Sequence, residues 1–174
     1  MNEKIEIRPL NPGELAIIQQ LSNDIWKKVY TSIISLDQIE YMLDLIYSEE
    51  ALLKQIHEQQ HSFLLVLIDN KPVGYASFSL KAPSLPGLYR LHKLYLEPAY
   101  HGKGIGKSMM DYIIRSIVPL GASELELNVN KYNPTLSFYK KLGFSIDSET
   151  IIDIGKGYVM DDYIMKLELV KYPI

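Results

Sequence analysis

A glycine-rich segment in the middle of the chain has the residue types and spacing that could bind a phosphate. It runs from Leu94 to Ser108 and reads Leu-Tyr-Leu-Glu-Pro-Ala-Tyr-His-Gly-Lys-Gly-Ile-Gly-Lys-Ser. Glycines at positions 102, 104 and 106 leave backbone N–H groups bare just before a predicted helix, whose N-terminal dipole favours anions. Lys103 and Lys107 add positive charge at the same place. Residues 101–107, called the cradle below, are therefore predicted to hold a phosphate group.

Two familiar nucleotide-binding motifs can be tested against these letters. The P-loop pattern Gly-x-x-x-x-Gly-Lys-Ser/Thr would require a glycine at position 101, which is His101. The dinucleotide pattern Gly-x-Gly-x-x-Gly fails because the glycine at 106 comes only two residues after the one at 104. A nucleotide-binding P-loop protein is therefore a disfavoured alternative.

Composition bounds the classes of protein to which the chain can belong. With 174 residues, 47% of them hydrophobic, one domain spanning residues 1–174 is expected. A net charge of −3 argues against a nucleic-acid partner. No cysteine is present and the four histidines lack metal-ligand spacing, so no metal is expected. The longest apolar run, residues 63–68, is too short to span a bilayer. Because no apolar signal segment is seen either, we expect no membrane partner and a cytoplasmic location.

The rest of the chain reads as strands and helices that would position the cradle. Helices are predicted from Asn11 and Pro12 to about Val29, and from residues 36 and 48 onward. Strands over residues 63–68 and 73–80 form a predicted antiparallel hairpin, and further strands are predicted over residues 5–9, 88–96, 124–129, 144–146 and 158–169. A helix over 104–118 follows the cradle, and a short one begins at Asn133 and stops at Gly143. This order predicts an α+β or mixed α/β fold.

Two of these segments together resemble the GNAT superfamily of acyl-CoA-dependent N-acetyltransferases. The family's cofactor motif Gln/Arg-x-x-Gly-x-Gly/Ala matches residues 101–106, except that His101 stands at its first position. A second family signature, an Asn followed by a helix with a Tyr and a Leu-Gly-Phe turn, matches Asn133, Tyr139 and residues 142–144. The resemblance implies a GNAT-like fold: a central, twisted, mostly antiparallel mixed sheet of about seven strands, with helices on both faces.

By this resemblance, the cradle binds the pyrophosphate of acetyl-CoA or coenzyme A. The implied donors are backbone N–H groups of the cradle, with charge from its two lysines. Exposed amides on the preceding strand would pair with the pantetheine arm. The side chain of Asn133 would add a further contact to the cofactor. The cofactor-binding residues expected on this basis are Leu94, Leu96, His101, Gly102, Lys103, Gly104, Ile105, Gly106, Lys107 and Asn133.

The resemblance also implies the reaction, in which a primary amine attacks the thioester directly in a ternary complex. Tyr139 matches the family's general acid, and the amide near Leu94 would stabilise the oxyanion. Many relatives carry a Glu base at the position of Arg90 or His92, and this chain has no Glu at either. Arginine cannot accept a proton, so His92 is the expected base. A water relay from a backbone carbonyl or a tyrosine is the alternative.

The acceptor is expected to be an amine of a small molecule, a peptide or a protein. Trp26, Tyr30 and Tyr41 lie in the helical region that forms the acceptor wall in this family, and they are the expected substrate-binding residues. A second copy of the chain is a further expected partner, since dimers are common among relatives. The missing Glu motivates one alternative function, a non-catalytic acyl-CoA-binding module.

Overall fold

The computed structural model describes residues 3–173, and within them it has seven strands and five helices. In chain order these are β1 (Ile5–Pro9), α1 (Leu15–Val29), α2 (Leu36–Tyr47), α3 (Glu49–His57), β2 (Ser62–Ile68), β3 (Lys71–Leu80), β4 (Leu88–Leu96), α4 (Ile105–Ile117), β5 (Glu124–Asn130), α5 (Leu136–Lys141), β6 (Ser145–Gly155) and β7 (Tyr158–Glu168).

The strands form a mixed sheet in the order β1-β2-β3-β4-β5-β7-β6. The β1–β2, β2–β3, β5–β7 and β6–β7 pairs are antiparallel, whereas β4 and β5 are parallel. A parallel pair needs a crossover connection, and the segment that contains the cradle and α4 provides it. The predicted mixed sheet of about seven strands is confirmed.

The backbone divides into two compact units. The first comprises the chain up to Ser79 together with Lys93–Tyr112, and the second comprises Leu80–His92 with the chain from Ile113 onward. Strand β4 and helix α4 each contribute residues to both units. The expectation of a single domain over residues 1–174 stays a prediction.

In the first unit, helices α1, α2 and α3 pack against one another around an apolar core. Their apolar side chains recur at helical spacing and are fully buried at Ile18, Ile25, Ile39 and Leu52. Every residue of β2 after Ser62 is also buried, so this strand lies inside the unit. The turn between β2 and β3 is the predicted one: Asp69 and Asn70 both have positive φ, as a two-residue hairpin loop requires.

In the second unit, β5 and β7 contribute apolar side chains to the core. Leu125 lies opposite Leu167 and Leu127 lies opposite Met165, and all four side chains are at most 4% exposed. Cross-strand pairs of this kind fix the register, because a shift by one residue would turn each apolar side chain to the other face.

Helix α1 begins three residues later than predicted, at Leu15 rather than Pro12. The reason is a turn that precedes it. The Glu14 carboxylate accepts from the backbone N–H of Asn11 at 2.8 Å and from both terminal nitrogens of Arg8 at 2.8 and 2.9 Å. Gly13 has a φ of +90°, which is not helical, so the helix starts only after this turn.

Two predictions for the last third of the chain were wrong in their bounds. Helix α5 begins at Leu136, because the Asn133 side chain accepts from the Thr135 N–H and hydroxyl and closes a separate turn before the helix. Its predicted stop is confirmed, with Gly143 at a φ of +103°. Strand β6 extends to Gly155 rather than ending at residue 146. Its side chains are mostly exposed, so pairing with β7 defines it rather than an apolar pattern.

Candidate active site

The cradle presents a row of backbone amides without protein partners. Gly102 and Gly104 have φ of +76° and +79°, a conformation that glycine adopts without strain. A Cβ at either position would meet nothing within 4 Å, so backbone conformation rather than crowding requires glycine there. Within residues 3–173, no group accepts a hydrogen bond from the N–H groups of residues 102–106. Together with the N-terminus of α4, these amides form a site suited to an anion.

The two lysines of the cradle are paired with carboxylates. Lys103 Nζ lies 3.5 Å from Glu3 Oε2 and over the ring of Tyr100, and Lys107 Nζ lies 2.8 Å from Asp111 Oδ2. Both lysine side chains are about half exposed, at 47% and 53%. Exposed ion pairs stabilise a protein by only ~0–1 kcal/mol, so a bound phosphate can draw either lysine away at little cost.

His101, the first residue of the cradle, is tied to the end of β4. Its Nε2 lies 2.8 Å from the carbonyl oxygen of Leu96. A carbonyl oxygen can only accept, so Nε2 carries the hydrogen and donates it. The exposed imidazole thus links the last residue of the strand to the start of the cradle.

The pairing of β4 with β5 stops halfway along β4. It covers residues 88–91 and 124–127, although β4 continues to Leu96. Just after the strand, the Glu97 N–H donates to the Val73 carbonyl of β3 at 2.8 Å. Backbone amides alternate in direction along a strand, so those of Leu94 and Leu96 point to the edge away from β3. These are the two amides that the sequence analysis predicts for cofactor binding.

Trp26 and four tyrosine side chains of the first unit form a group of rings in contact, called the aromatic cluster. The Trp26 ring lies 4.8 Å from Tyr30, 5.6 Å from Tyr47 and 5.7 Å from Tyr95. The Tyr30 and Tyr95 hydroxyls are 3.1 Å apart, and the fully buried Tyr75 donates to the Tyr47 hydroxyl at 2.8 Å. Burial raises the pKa of both Tyr47 and Tyr75.

Two of the three predicted acceptor residues therefore lie together. Trp26 is only 4% exposed, Tyr30 is half-buried, and Tyr41 is a half-buried residue of α2. The partners Tyr47, Tyr75 and Tyr95 were not predicted as part of this group. They come from α2, β3 and β4, and no local spacing in the sequence connects them.

Lys93 is a buried amine that sequence analysis missed. It is 7% exposed, and its Nζ donates to Oε1 of Gln55 at 2.7 Å. The same nitrogen lies over the rings of Tyr47 and Phe63, 5.5 and 5.4 Å from their centroids. Burial lowers the pKa of Lys93 to about 7. The alternation along β4 indicates which face this side chain occupies, but not that the neutral Gln55 of α3 receives it.

Tyr139 and Asn133 belong to the second unit. Tyr139 is 8% exposed, and its ring packs between those of Phe138 and Phe144 at 5.3 and 5.7 Å. Asn133 is 7% exposed, and its side-chain oxygen accepts from Thr135 as described above. Their catalytic and cofactor-binding roles stay predictions.

A row of polar side chains on one face of the sheet, called the polar row, joins three strands of the second unit. Arg90 of β4 lies opposite Glu126 of β5 and donates to its Oε1 at 3.1 Å. Arg90 also donates to Oδ1 of Asn128 at 2.6 Å, and Asn128 hydrogen-bonds Asp162 of β7. Lys81 adds an ion pair to Glu126 Oε1 at 2.7 Å.

Two carboxyl groups of the polar row are buried, Glu126 completely and Asp162 to 3% exposure. Burial raises the pKa of Asp162 to about 6, although the hydrogen bond from Asn128 opposes the shift. The predicted base, His92, is half-buried and shares this face, since it stands two residues after Arg90 on β4. The polar row could not be predicted from the sequence, because alternation on β5 places Glu126 and Asn128 opposite the apolar face and does not indicate that Glu126 is buried.

Two further properties concern the described chain as a whole. No helix within residues 3–173 is long and apolar enough to cross a membrane. Over the same range, no three His, Asp or Glu side chains lie together in an arrangement that could hold a metal ion.

Comparison with known proteins matches the sequence and the fold to one family. Residues 24–144 match the sequence model of the Acetyltransferase (GNAT) family. A spermidine N(1)-acetyltransferase of Thermoplasma acidophilum is 30% identical over 162 residues, which cover 90% of this chain and 96% of that protein. A peptidyl-lysine N-acetyltransferase, YjaB, of Salmonella typhimurium is 34% identical over 67 residues, 37% of this chain and 43% of that protein.

A solved structure extends the likeness to the fold. The crystal structure of the PaiA N-acetyltransferase of Thermoplasma acidophilum, in complex with coenzyme A, superposes with a TM-score of 0.79 at 29% identity. The match covers 95% of this chain and 99% of that one. The GNAT-like fold that the sequence analysis predicts is therefore confirmed.

Proposed function

The chain belongs to the GNAT family of acetyl-CoA-dependent N-acetyltransferases, and on this premise we propose that its acceptor is a primary amine of a polyamine such as spermidine. The observation that supports the donor half of this proposal is the row of unpartnered amides at residues 102–106. The acceptor half is supported by the spermidine-acetylating relative, which matches nearly the whole chain.

We assign the cofactor to the cradle and to the free edge of β4. The amides of residues 102–106 would hold the pyrophosphate, with charge from Lys103 and Lys107. The amides of Leu94 and Leu96 would pair with the pantetheine arm, and Asn133 would add a contact. When bound, acetyl-CoA supplies an acetyl thioester. The side-chain Nε2–H of His101 already donates to Leu96, so His101 would act mainly by fixing the cradle to β4.

We assign the acid role to Tyr139. A phenol in water has a pKa of ~10, so it still carries its proton at neutral pH and can donate it to the departing thiolate, whose thiol has a pKa of ~8.5. The amide near Leu94 would stabilise the oxyanion. His92 of β4 is the general base that the sequence predicts.

Tyr139→Phe tests the acid role. The substitution removes one hydroxyl and keeps the ring between Phe138 and Phe144, so the fold and acetyl-CoA binding should persist. Loss of a general acid lowers kcat by ~10²–10⁴-fold. Phe138→Leu, which alters the neighbouring ring without touching a hydroxyl, is the control in the same thiol-release assay. Wild-type turnover in Tyr139→Phe would remove Tyr139 from this role.

Three aromatic side chains of the first unit, two of which belong to the aromatic cluster, would recognise a cationic acceptor. A cation over an aromatic ring is stabilised by ~0.5–2 kcal/mol, and we propose Trp26, Tyr30 and Tyr41 as acceptor-binding residues.

Peptidyl-lysine is the second candidate acceptor, supported by the match to YjaB over part of the chain. An acceptor panel with equal concentrations of spermidine, putrescine, free lysine and a lysine peptide distinguishes these candidates. A higher kcat/KM for the lysine peptide than for spermidine would favour peptidyl-lysine as the acceptor.

Two expectations about the cellular setting are also proposals. We propose that the enzyme works in the cytoplasm without nucleic acid, and that two copies of the chain associate. Cell fractionation checks the first and sedimentation across protein concentration checks the second. A single species of monomer mass at every concentration would contradict the dimer.

A further inference from the structure

We propose that Asp162 of β7, held by Asn128, is the group that takes the proton from the acceptor amine. This inference rests on the proposed amine acetylation, and it places on β7 the base that the sequence analysis sought on β4. The acceptor arrives as an ammonium ion, because a primary alkylamine has a pKa of ~10.4 in water. Its nitrogen can attack the thioester only after it has lost a proton.

The two carboxylates of the polar row have different surroundings. Oε1 of Glu126 lies 2.7 Å from Lys81 Nζ and 3.1 Å from Arg90 Nη1, so its charge is matched by two cations. Glu126 therefore holds Arg90 in place. Asp162 is bound instead by the neutral amide of Asn128, in a site that is almost closed to solvent. Of the two, Asp162 is the carboxylate that a neutral group holds.

Charged groups act on Asp162 from two strands and from the turn that follows β5. Arg90 of β4 and Lys131, which follows β5, favour the ionised carboxylate, whereas Asp161 on β7 itself disfavours it. On β6, the residue opposite Asp162 is the uncharged Thr150. Burial is the largest influence and raises the pKa to about 6. The group is therefore ionised at pH 7.5, yet it binds a proton more strongly than an ordinary aspartate.

The position of Asp162 on the sheet agrees with this role. Pairing between β4 and β5 ends at Leu91 and Leu127, and the next residues on the polar face are His92 and Asn128. Asp162 bonds Asn128 and lies opposite Asn130. Within the second unit, Asp162 thus lies beside the stretch of β5 that follows the end of its pairing with β4.

The proton balance of the step is complete with these groups. One ammonium proton passes to an Asp162 oxygen, and the amine nitrogen forms the C–N bond while the C–S bond breaks. The sulfur leaves with the electron pair and takes the Tyr139 proton. The nitrogen then loses its second proton to the Tyr139 phenolate through solvent, and Asp162 returns its proton to solvent. One proton is released for each amide formed.

Asp162→Asn is the direct test, because asparagine keeps the shape and the contact with Asn128 but cannot accept a proton. We expect kcat/KM for spermidine at pH 7.5 to fall by ~10²–10⁴-fold, and the acid limb of the pH–rate profile near pH 6 to disappear. Acetyl-CoA binding, measured by thermal shift, should be unchanged. Asp161→Asn is the matched control, since it removes the neighbouring carboxylate and should keep the limb.

Stability provides a readout that a merely structural role would not give. A raised folded-state pKa means that the stability contributed by Asp162 is present below pH 3.8 and is lost as pH rises through about 6. The ionised side chain is thus destabilising at pH 7.5, and Asp162→Asn should unfold at a higher urea concentration than wild type. If Asp162 had only a structural role, Asp162→Asn would lower both the free energy of unfolding and the acetylation rate.

His92→Gln decides between the two bases. If Asp162 takes the proton, His92→Gln retains the acid limb. An Asp162→Asn enzyme with at least half of the wild-type kcat/KM would overturn the proposal, and so would loss of the limb in His92→Gln alone. Wild-type protein that binds acetyl-CoA but acetylates no amine would overturn the proposed function, and this assignment with it.

Discussion

Lys93 holds a primary amine inside the first unit against neutral partners, Gln55 and the rings of Tyr47 and Phe63. An ammonium ion there loses hydration that these contacts only partly replace, which is why burial lowers its pKa. The alternation of β4 predicts the face on which Lys93 lies. Its depth could not be predicted, because the residues that cover it come from three other elements.

The stability of the protein should therefore depend on pH through Lys93. The pKa is 10.5 in the unfolded chain and about 7 in the fold, so between these values the unfolded state binds more protons and stability rises with pH. From pH 7 to 9, the free energy of unfolding in urea should increase by about 1–3 kcal/mol. In Lys93→Met this increase should be largely absent.

Lys54→Met is the control for this measurement, because Lys54 is an exposed amine on the neighbouring helix α3. It should show the same increase with pH as wild type. An equal slope in wild type and Lys93→Met would mean that Lys93 does not govern the pH dependence.

At the scale of elements, the cradle and the helix that follows it depend on glycines with positive φ. Replacing Gly104 by Ala forces a Cβ into this conformation at a cost of ~1–2 kcal/mol, without a clash. We expect Gly104→Ala to raise the Kd for acetyl-CoA at least ~10-fold. The change in backbone conformation would turn the amides of the cradle away from the pyrophosphate. Isothermal titration measures this directly.

Gly13→Ala is matched to that variant, since Gly13 also has positive φ and open space around its Cβ position but lies outside the cradle. It should lose a similar amount of stability and keep the wild-type Kd. Equal Kd values for Gly104→Ala and Gly13→Ala would contradict the assignment of the cradle.

Elements with strong local patterns could be predicted from the sequence, and those shaped by distant contacts could not. The hairpin at Asp69 and Asn70 was predicted because its turn chemistry is local. Strand β6 was missed beyond residue 146, because its exposed polar residues carry no pattern and only pairing with β7 extends it. The start of α1 depends on Arg8 reaching Glu14, which no helix signal contains.

At the scale of the whole molecule, the family assignment predicts which ligand stabilises the fold. A ligand at 100 times its Kd adds ~2.7 kcal/mol to the free energy of unfolding, which for a chain of this size raises Tm by about 5–10 °C. Acetyl-CoA should produce this shift, whereas Mg²⁺-ATP should not, since His101 breaks the P-loop pattern. A rise in Tm with Mg²⁺-ATP and none with acetyl-CoA would contradict the assignment of the cradle to acetyl-CoA.

The most direct test of the account is the rate of free-thiol release from acetyl-CoA with and without spermidine, with mass spectrometry of the polyamine. We expect release that depends on spermidine, matched by one acetyl group added to spermidine per thiol formed. Release that is independent of every amine in the panel, or saturable acetyl-CoA binding without any acetylated amine, would contradict it.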